Sequence, residues 1–444
     1  MSCRIRHPFP LVAFLLVAAS ASAFDGAVDP AFGDNGQLAI TRPRVEFGNM
    51  TKPTGDLAVL ADGRFLWVQP LDDGSVWMGR HLRDGSIDTF GDDGNGRITL
   101  PACGPARAAR LIAGADGGAV VWAASCFRRV LADGSIDAAF ARGSMPAAGF
   151  RAAGLVRDAA GRYVLAGDEG SQRVVYRFLV DGQADAGFGN GGRVEVVLPS
   201  TNGITSIDAL AVRADGRILV AGSRGNTHGP NLAIAQLTEA GAPDPQWGTQ
   251  GIVDMPPPPG YDRLYATAIA LDADASLVVS GMGSDGGVSC CRMLARFDTQ
   301  GALVPAFGLR LFRLDGQPSL FPFFEQRDAL VLLPDQRILA GAISFPIGAP
   351  FSHRTRYTLI RVLANGELDT SFGLNGWNTY TIADPTPAGQ TGDYNQMHAI
   401  AHDRDDASVV ILGRTFFEGA STLDDYVTMV RARLDLVFAD GFEG

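Results

Sequence analysis

A chain of 444 residues with 55 Gly and 25 Pro is too punctuated for long helices. At 46% hydrophobic and 19% charged it is also too apolar for a disordered polyanion. Its formal net charge of −11 repels phosphate backbones, and no run of basic residues compensates, so nucleic acid is excluded as a partner.

The chain opens with the pattern of an export signal. Arg4, Arg6 and His7 form a basic n-region, residues 11–19 a short apolar h-region, and Ala21-Ser22-Ala23 a small-residue cleavage site. Residues 1–23 are therefore read as a signal peptide, and the mature chain would begin at Phe24 with a charge of −13. A membrane anchor is the alternative, but the apolar run falls far short of the ~20 residues that span a bilayer. No Cys follows the h-region to carry a lipid, and no later segment could span as a helix. An exported protein is expected: periplasmic, cell-surface or extracellular.

Next come the elements of a repeat. An aromatic anchor recurs at Phe32, Phe90, Phe140, Phe188, Trp247, Phe307 and Phe372, at spacings of 48 to 65 residues. Its fullest copy is "NGELDTSFGLNGW", residues 365–377. After each anchor comes a short β-rich run such as residues 96–100, then a second apolar run such as 207–212. A tight turn leads to a third run, clearest in "ADGRILVAG" (214–222). Asp-Gly between apolar runs predicts a type I′ hairpin with positive φ at both central residues. A variable loop and a fourth run, such as 231–237, end the unit.

Four short strands cannot bury both faces alone, whereas radial stacking covers each face with a neighbour. The expected fold is all-β: a β-propeller, with seven four-stranded blades over residues 24–436 and a short C-terminal tail at 437–444. The continuous apolar third run fits a strand buried on both faces. Ala166-Gly167, Ala221-Gly222 and Ala340-Gly341 are expected where blades crowd together. An open solenoid would need polar capping units, and none is found. The mature start lacks a fourth strand before its anchor, and residues 425–435 supply a fourth strand with no anchor after it. The termini should therefore meet at one seam. Six blades plus irregular structure is the alternative, since the third unit is short and has lost its Phe-Gly.

These units resemble the bacterial delta-60 repeat family of predicted β-propeller modules of unknown function. The resemblance rests on Leu368, Asp369, Ser371, Phe372, Gly373 and Gly376, and on Asp215–Gly222, and it covers residues 25 to 435. The third unit departs with Ala141 for Gly, the fifth with Trp247 for Phe, and the fifth to seventh lack the hairpin Asp-Gly. The family carries no established catalytic residues, so the resemblance implies none. Residues 438–444 also resemble a C-terminal tail of some exported gammaproteobacterial proteins, as a sorting feature or simply a ragged end.

The mature chain keeps Cys103, Cys126, Cys290 and Cys291. Cys103 and Cys126 flank one hairpin and are the candidate disulfide. Adjacent Cys290 and Cys291 form either a vicinal disulfide or two thiols on opposite faces of a strand. Zinc lacks its usual short-spaced pairs.

Other motifs are tempting. Residues 187–192 and 281–286 match G-x-G-x-x-G, but each sits between strands rather than before a helix. "NMT" (49–51) is a glycosylation sequon by pattern only. His398 and His402 fall on a strand, where four residues span roughly 13 Å, too far to share a metal unaided. Asp34, Asp92, Asp93, Asp403, Asp405 and Asp406 lie in turns without a known calcium-binding order. No cofactor is expected, with calcium the one metal these turns would admit. No catalytic residue is assigned.

The reading that follows is a non-enzymatic binding or scaffold propeller, with a protein or glycan partner held by variable loops. Those loops are residues 223–231, 343–356 and 414–425, which should cluster on one face. The alternative is a carbohydrate-active or other hydrolase or lyase at the axial channel. It requires acids or histidines converging there.

Overall fold

The computed structural model describes residues 25–42, 45–46, 54–91, 95–106, 108–140, 146, 149–196, 204–225, 231–286, 288–313, 329–344, 355–382, 394–418 and 422–434. The chain starts with β1 (Gln37–Thr41) and β2 (Val45–Glu46), which belong to its last blade. Blade one is β3 (Asp56–Val59), β4 (Phe65–Pro70), β5 (Val76–His81) and β6 (Arg97–Leu100). Blade two is β7 (Ala109–Ala113), β8 (Ala119–Ala123) and β9 (Cys126–Val130), and blade three β10 (Arg151–Arg157), β11 (Tyr163–Glu169), β12 (Gln172–Phe178) and β13 (Arg193–Glu195). Blade four is β14 (Ile204–Val212), β15 (Ile218–Arg224), β16 (Asn231–Leu237) and β17 (Ile252–Met255). Blade five is β18 (Arg263–Leu271), β19 (Leu277–Asp285), β20 (Val288–Phe297) and β21 (Leu309–Phe312). Blade six is β22 (Leu330–Leu332), β23 (Ile338–Ser344), β24 (Arg356–Val362) and β25 (Trp377–Tyr380). Blade seven takes β26 (Tyr394–Asp403), β27 (Ser408–Glu418) and β28 (Thr422–Arg433) from the C-terminal end and β1 from the other.

This is a seven-bladed β-propeller. The first strands of successive blades contact one another all the way round, with β26 meeting β3 to close the ring. All strand pairings are antiparallel, and no helix occurs among the described residues. Blade two shows three strands; its fourth position follows Phe140, where residues 141–145 and 147–148 are not described.

The blade is offset from the sequence repeat by one strand. The short run after each anchor pairs as the outer strand of the preceding three runs: β6 lies on β5, and β25 on β24. The anchor motif is therefore an internal connection of a blade, not its beginning. The same offset closes the ring. Gln37↔Val430 through Thr41↔Tyr426 set β1 against β28, and Gly26 N–H donates to the Arg433 carbonyl at 2.9 Å.

The Asp-Gly hairpins are not type I′. In the turn after β3, Gly63 N–H returns to the Leu60 carbonyl, and Leu60 N–H takes the Arg64 carbonyl. Only Gly63 has positive φ, at 82°. The arrangement is a turn followed by one left-handed residue, which absorbs an extra residue as a bulge. Asp62 stays in ordinary backbone space and its carboxylate accepts the Arg64 N–H.

All seven anchors are buried. Burying a Phe contributes roughly 2–3 kcal/mol. A second recurring part surrounds them. The Asp three or so residues before the anchor accepts from a long side chain on the third strand of its blade. Arg80 Nε reaches Asp88 at 2.5 Å, Arg177 Nε reaches Asp185 at 2.7 Å, Arg361 Nε reaches Asp369 at 2.7 Å, and Gln236 plays this part to Asp244 at 2.8 Å. The arginine of the preceding hairpin adds a second contact: Arg64 to Asp88, Arg217 to Asp244, Arg337 to Asp369. The third-strand guanidinium also lies over the anchor ring, 4.7 Å from Phe90, 4.4 Å from Phe188 and 4.7 Å from Phe372. Its free end bonds the next blade, as Arg80 does to the Gly117 and Ala132 carbonyls. Each such latch ties anchor, blade and neighbour together.

The glycines within the second strand have a different role from the expected one. A Cβ on Gly167 or Gly222 would meet the carbonyl of Arg151 or Ser206, on the first strand of the same blade. There the first strand bulges: Ala153, Asp208, Thr267 and His398 are skipped in the register of β10, β14, β18 and β26. Of the expected set, Gly341 does face a neighbouring blade, where its Cβ would strike Met397.

Candidate functional site

The two ends of the ring differ. At one end lie the hairpin turns and anchor motifs, all copies of each other. The first-to-second-strand turns are residues 60–64, 114–118, 158–162, 213–217, 272–276 and 333–337, with 404–407 in blade seven. Latches tie the connections at this end to their blades. At the other end the second-to-third-strand connections range from 124–125 in blade two to 345–355 in blade six. The three loops singled out from sequence are these connections in blades four, six and seven, so they do share an end. Their central residues 226–230, 345–354 and 419–421 lie outside the described residues, as do residues 1–23, 49–51, Asp92, Asp93 and 437–444.

One cleft breaks the repetition. It has a volume of about 960 Å3 and opens between β1 of blade seven and the outer half of blade one. Leu38, Ile40, Trp67 and His81 form its apolar and aromatic part; Asp34, Gln37, Asp84, Ser86, Asn95 and Arg97 supply polar groups. Two of these depart from the repeat. His81 pairs with the first residue of β4, where the third strands of the other blades carry Val130, Phe178, Leu237, Phe297, Val362 and Ala432. Trp67 occupies a position filled elsewhere by Val121, Leu165, Val220, Val279, Ala340 and Ile411, and Gly79 opposite it makes room, since a Cβ there would strike the indole. The His81 ring stacks on Phe65 at 5.4 Å and its Nδ1 donates to the Gly85 carbonyl at 3.1 Å. Burial lowers its pKa, so it is neutral at pH 7. Sequence inspection passed over both residues, although aligning the fourth runs would have exposed His81 as the only His among them.

Toward the axis, the bulges place non-repeating side chains on the innermost strands. Arg151 reaches both Asp168 and, at 3.2 Å, Asp208. Burial pushes the Asp208 carboxyl up, with Arg151 and the Ser206 hydroxyl opposing it. No group of three or more His, Cys, Asp or Glu side chains gathers as a metal site among the described residues.

His398 and His402 lie on β26. His398 is buried and its Nδ1 accepts the Gly55 N–H at 3.1 Å. His402 has a pKa lowered to about 4, chiefly by burial. Asp403 and Asp406 face Arg431, and Asp403 also faces Arg83 at 2.9 Å. Residues 187–192 form a strand-to-strand connection and 281–286 run through the end of β19, with no helix following either. Cys103 and Cys126 are bonded through sulfur, with Cα atoms 5.8 Å apart. Cys291 is also disulfide-bonded; the Cys290 side chain is outside the described ones.

A family model described as a domain of unknown function (DUF5122) β-propeller matches residues 213–246. No curated protein matches the chain. Solved structures similar to it include the BP39L lectin from Burkholderia pseudomallei, at 13% identity over 84% of this chain and 98% of that one, with a TM-score of 0.48. XC5397 from Xanthomonas campestris, titled a gluconolactonase, is 14% identical over 77% and 97%, with a TM-score of 0.36. A mutant of AofleA from Arthrobotrys oligospora is 9% identical over 90% and 94%, with a TM-score of 0.37.

Proposed function

We propose that the chain is an exported, non-enzymatic binding or scaffold propeller that engages a protein or glycan through its variable-loop end. The observation that carries this reading is the division of labour between the ends. One is built from copies of a turn and latch, with turns of 4–5 residues and anchor connections of 11–15, whereas at the other the second-to-third-strand connections run from 2 to 11 residues. A rigid scaffold that varies most widely at one set of connections is suited to recognition. Export rests on the pattern in residues 1–23, and the Cys103–Cys126 bond supports an oxidising compartment.

The test is a glycan array and a pull-down with the mature protein, repeated after residues 225–230 and 345–355 are replaced by the two-residue connection of blade two. Binding should be lost or change partner while thermal unfolding stays cooperative. A binder retained at full strength by the doubly swapped protein would overturn the loop reading, and so would no binder in either assay.

A further inference from the structure

At the seam, on the variable-loop side, three buried cationic or donor side chains from the two ends of the chain have groups with no partner among the described residues. Arg42 leaves the end of β1, Arg414 lies on β27 and His398 on β26. All three are almost wholly inaccessible. Arg414 forks onto Asp425, through Nε at 2.6 Å and through Nη2, and stacks 4.5 Å over Phe416; its Nη1 has no acceptor. Arg42 donates Nη2 to the Pro70 carbonyl and pairs Nη1 with the same Asp425 at 3.2 Å; its Nε has no acceptor.

His398 supplies the third donor. Because its Nδ1 accepts the Gly55 N–H, the proton of the neutral ring sits on Nε2, which is buried and unpartnered. The ring is neutral because burial, then Arg414, Arg42 and Arg110, hold its pKa well below the usual value. In the register of β26 on β27, Gln396 stands opposite Arg414, two residues from the bulge at His398.

Among the described residues the charges do not balance locally. Asp425 is shared by two guanidiniums, and Asp56 is taken by the N–H groups of Leu57 and Leu111. Asp72 acts on Arg42 from an exposed position. Buried donors without acceptors are rare, because the desolvation they suffer is not repaid. A buried cation cluster that exceeds its carboxylates calls for a counter-charge.

We infer that the seam cluster of Arg42, Arg414 and His398 is a binding site for one small anion, a halide or a carboxylate, that bridges the two ends of the chain. The anion accepts from the three free N–H groups and offsets the unpaired charge. Because Arg42 enters with β1 while Arg414 and His398 belong to blade seven, occupancy favours the closed ring. This inference is independent of the loop reading.

Thermal unfolding of the purified full chain tests it in sodium bromide and in sodium acetate, at fixed ionic strength with sodium gluconate as the filler. The expected result is a saturable rise in midpoint with at least one of the two salts, bromide indicating a halide and acetate a carboxylate. In His398→Gln, half-saturation should move at least tenfold higher. Crystals soaked in bromide give a second readout that needs no variant. An anomalous peak within hydrogen-bond reach of His398 Nε2 and Arg414 Nη1 supports a halide site. An ordered water at that point in both salts, with no saturable response in solution, overturns the inference. A peak without a solution response is binding at crystal concentration only and also overturns it.

Discussion

Asp369 carries several contacts at once. Its carboxylate accepts from Arg361, Arg337 and the Ser371 hydroxyl, and the same motif buries Phe372 beneath Arg361. Lys52 is the chain's only lysine. A planar guanidinium can bond a carboxylate edge-on while lying flat on a ring, which an ammonium cannot do. The phenylalanines were legible in the sequence because an apolar residue repeating at fixed spacing declares a core. The latch was not, because Arg and Asp lie in separate runs of the repeat and only the strand register brings them together. Replacing Asp369 by Asn keeps the shape but removes the carboxylate that Arg361 and Arg337 share, leaving each with one other, Asp25 and Asp335, so about 2 kcal/mol should be lost at pH 7. The pH dependence has a definite sign. Burial works to raise Asp88, Asp244 and Asp369, but hydrogen bonds and charge from their partners outweigh it and hold all three low. A lowered carboxyl stabilises the fold above its unfolded pKa of about 3.9 and loses that contribution as pH falls through the folded value. Asp208 and Asp403, raised chiefly by burial, act in the opposite sense. Urea midpoints should therefore drop below about pH 4, and drop less in Asp369→Asn than in the parent. An equal acid dependence in both would show that the latch is not its source.

At the scale of the element, the Asp-Gly pairs correctly announced hairpins but misled about their type. A two-residue loop and a loop with a left-handed bulge residue share the same dipeptide, and the hydrogen bonds decide between them. The same left-handed position explains the units that had lost their Asp-Gly. Ala275, Gln336 and Ala407 occupy it with φ of 62°, 66° and 42°. The turn survives without glycine at a local cost, since a Cβ in this region crowds the following carbonyl by roughly 1–2 kcal/mol. Ala275→Gly and Gln336→Gly should each stabilise the protein by about 0.5–1 kcal/mol, offset in part by the greater freedom of Gly in the unfolded chain. Chemical denaturation of each variant measures this directly. The matched control is Gly117→Ala, with φ at 85° and no atom nearer than 3.2 Å to the added Cβ, which should lose a similar amount. Stabilisation by none of the glycines, or no loss in the control, would mean that these turns relax away from the left-handed conformation at no cost.

The whole molecule is governed by one seam, and the sequence made its existence legible. A start without a fourth strand and an end without an anchor must complete each other if the ring closes. The strand offset and the polar cluster inside the seam were hidden, since Arg42 and Asp425 are remote in the chain and pair only after closure. The mechanical consequence is that the first described residues are the outer strand and the plug of the last blade. Asp25 pairs with Arg361 through Oδ1 at 2.8 Å, Asp29 takes Arg433 at 2.6 Å, and Phe32 is wholly buried. A chain beginning at Pro43 would leave Arg361 with Asp369 alone, take Asp29 from Arg433, and open the core between blades seven and one. Each lost hydrogen bond to a charged group costs about 1.5–3 kcal/mol. With the lost burial of Phe32 and β1, the deficit is of the order of the ~5–15 kcal/mol that hold a typical domain together. The truncated chain should lose its near-ultraviolet circular dichroism and its single cooperative transition, although every other blade is intact in sequence. A synthetic peptide of residues 25–42 added in trans should restore part of both, because the missing strand joins the ring only through the seam. If the truncated chain unfolded with the parent's midpoint, the N-terminal strand would be an accessory to a ring already closed by blades one to seven.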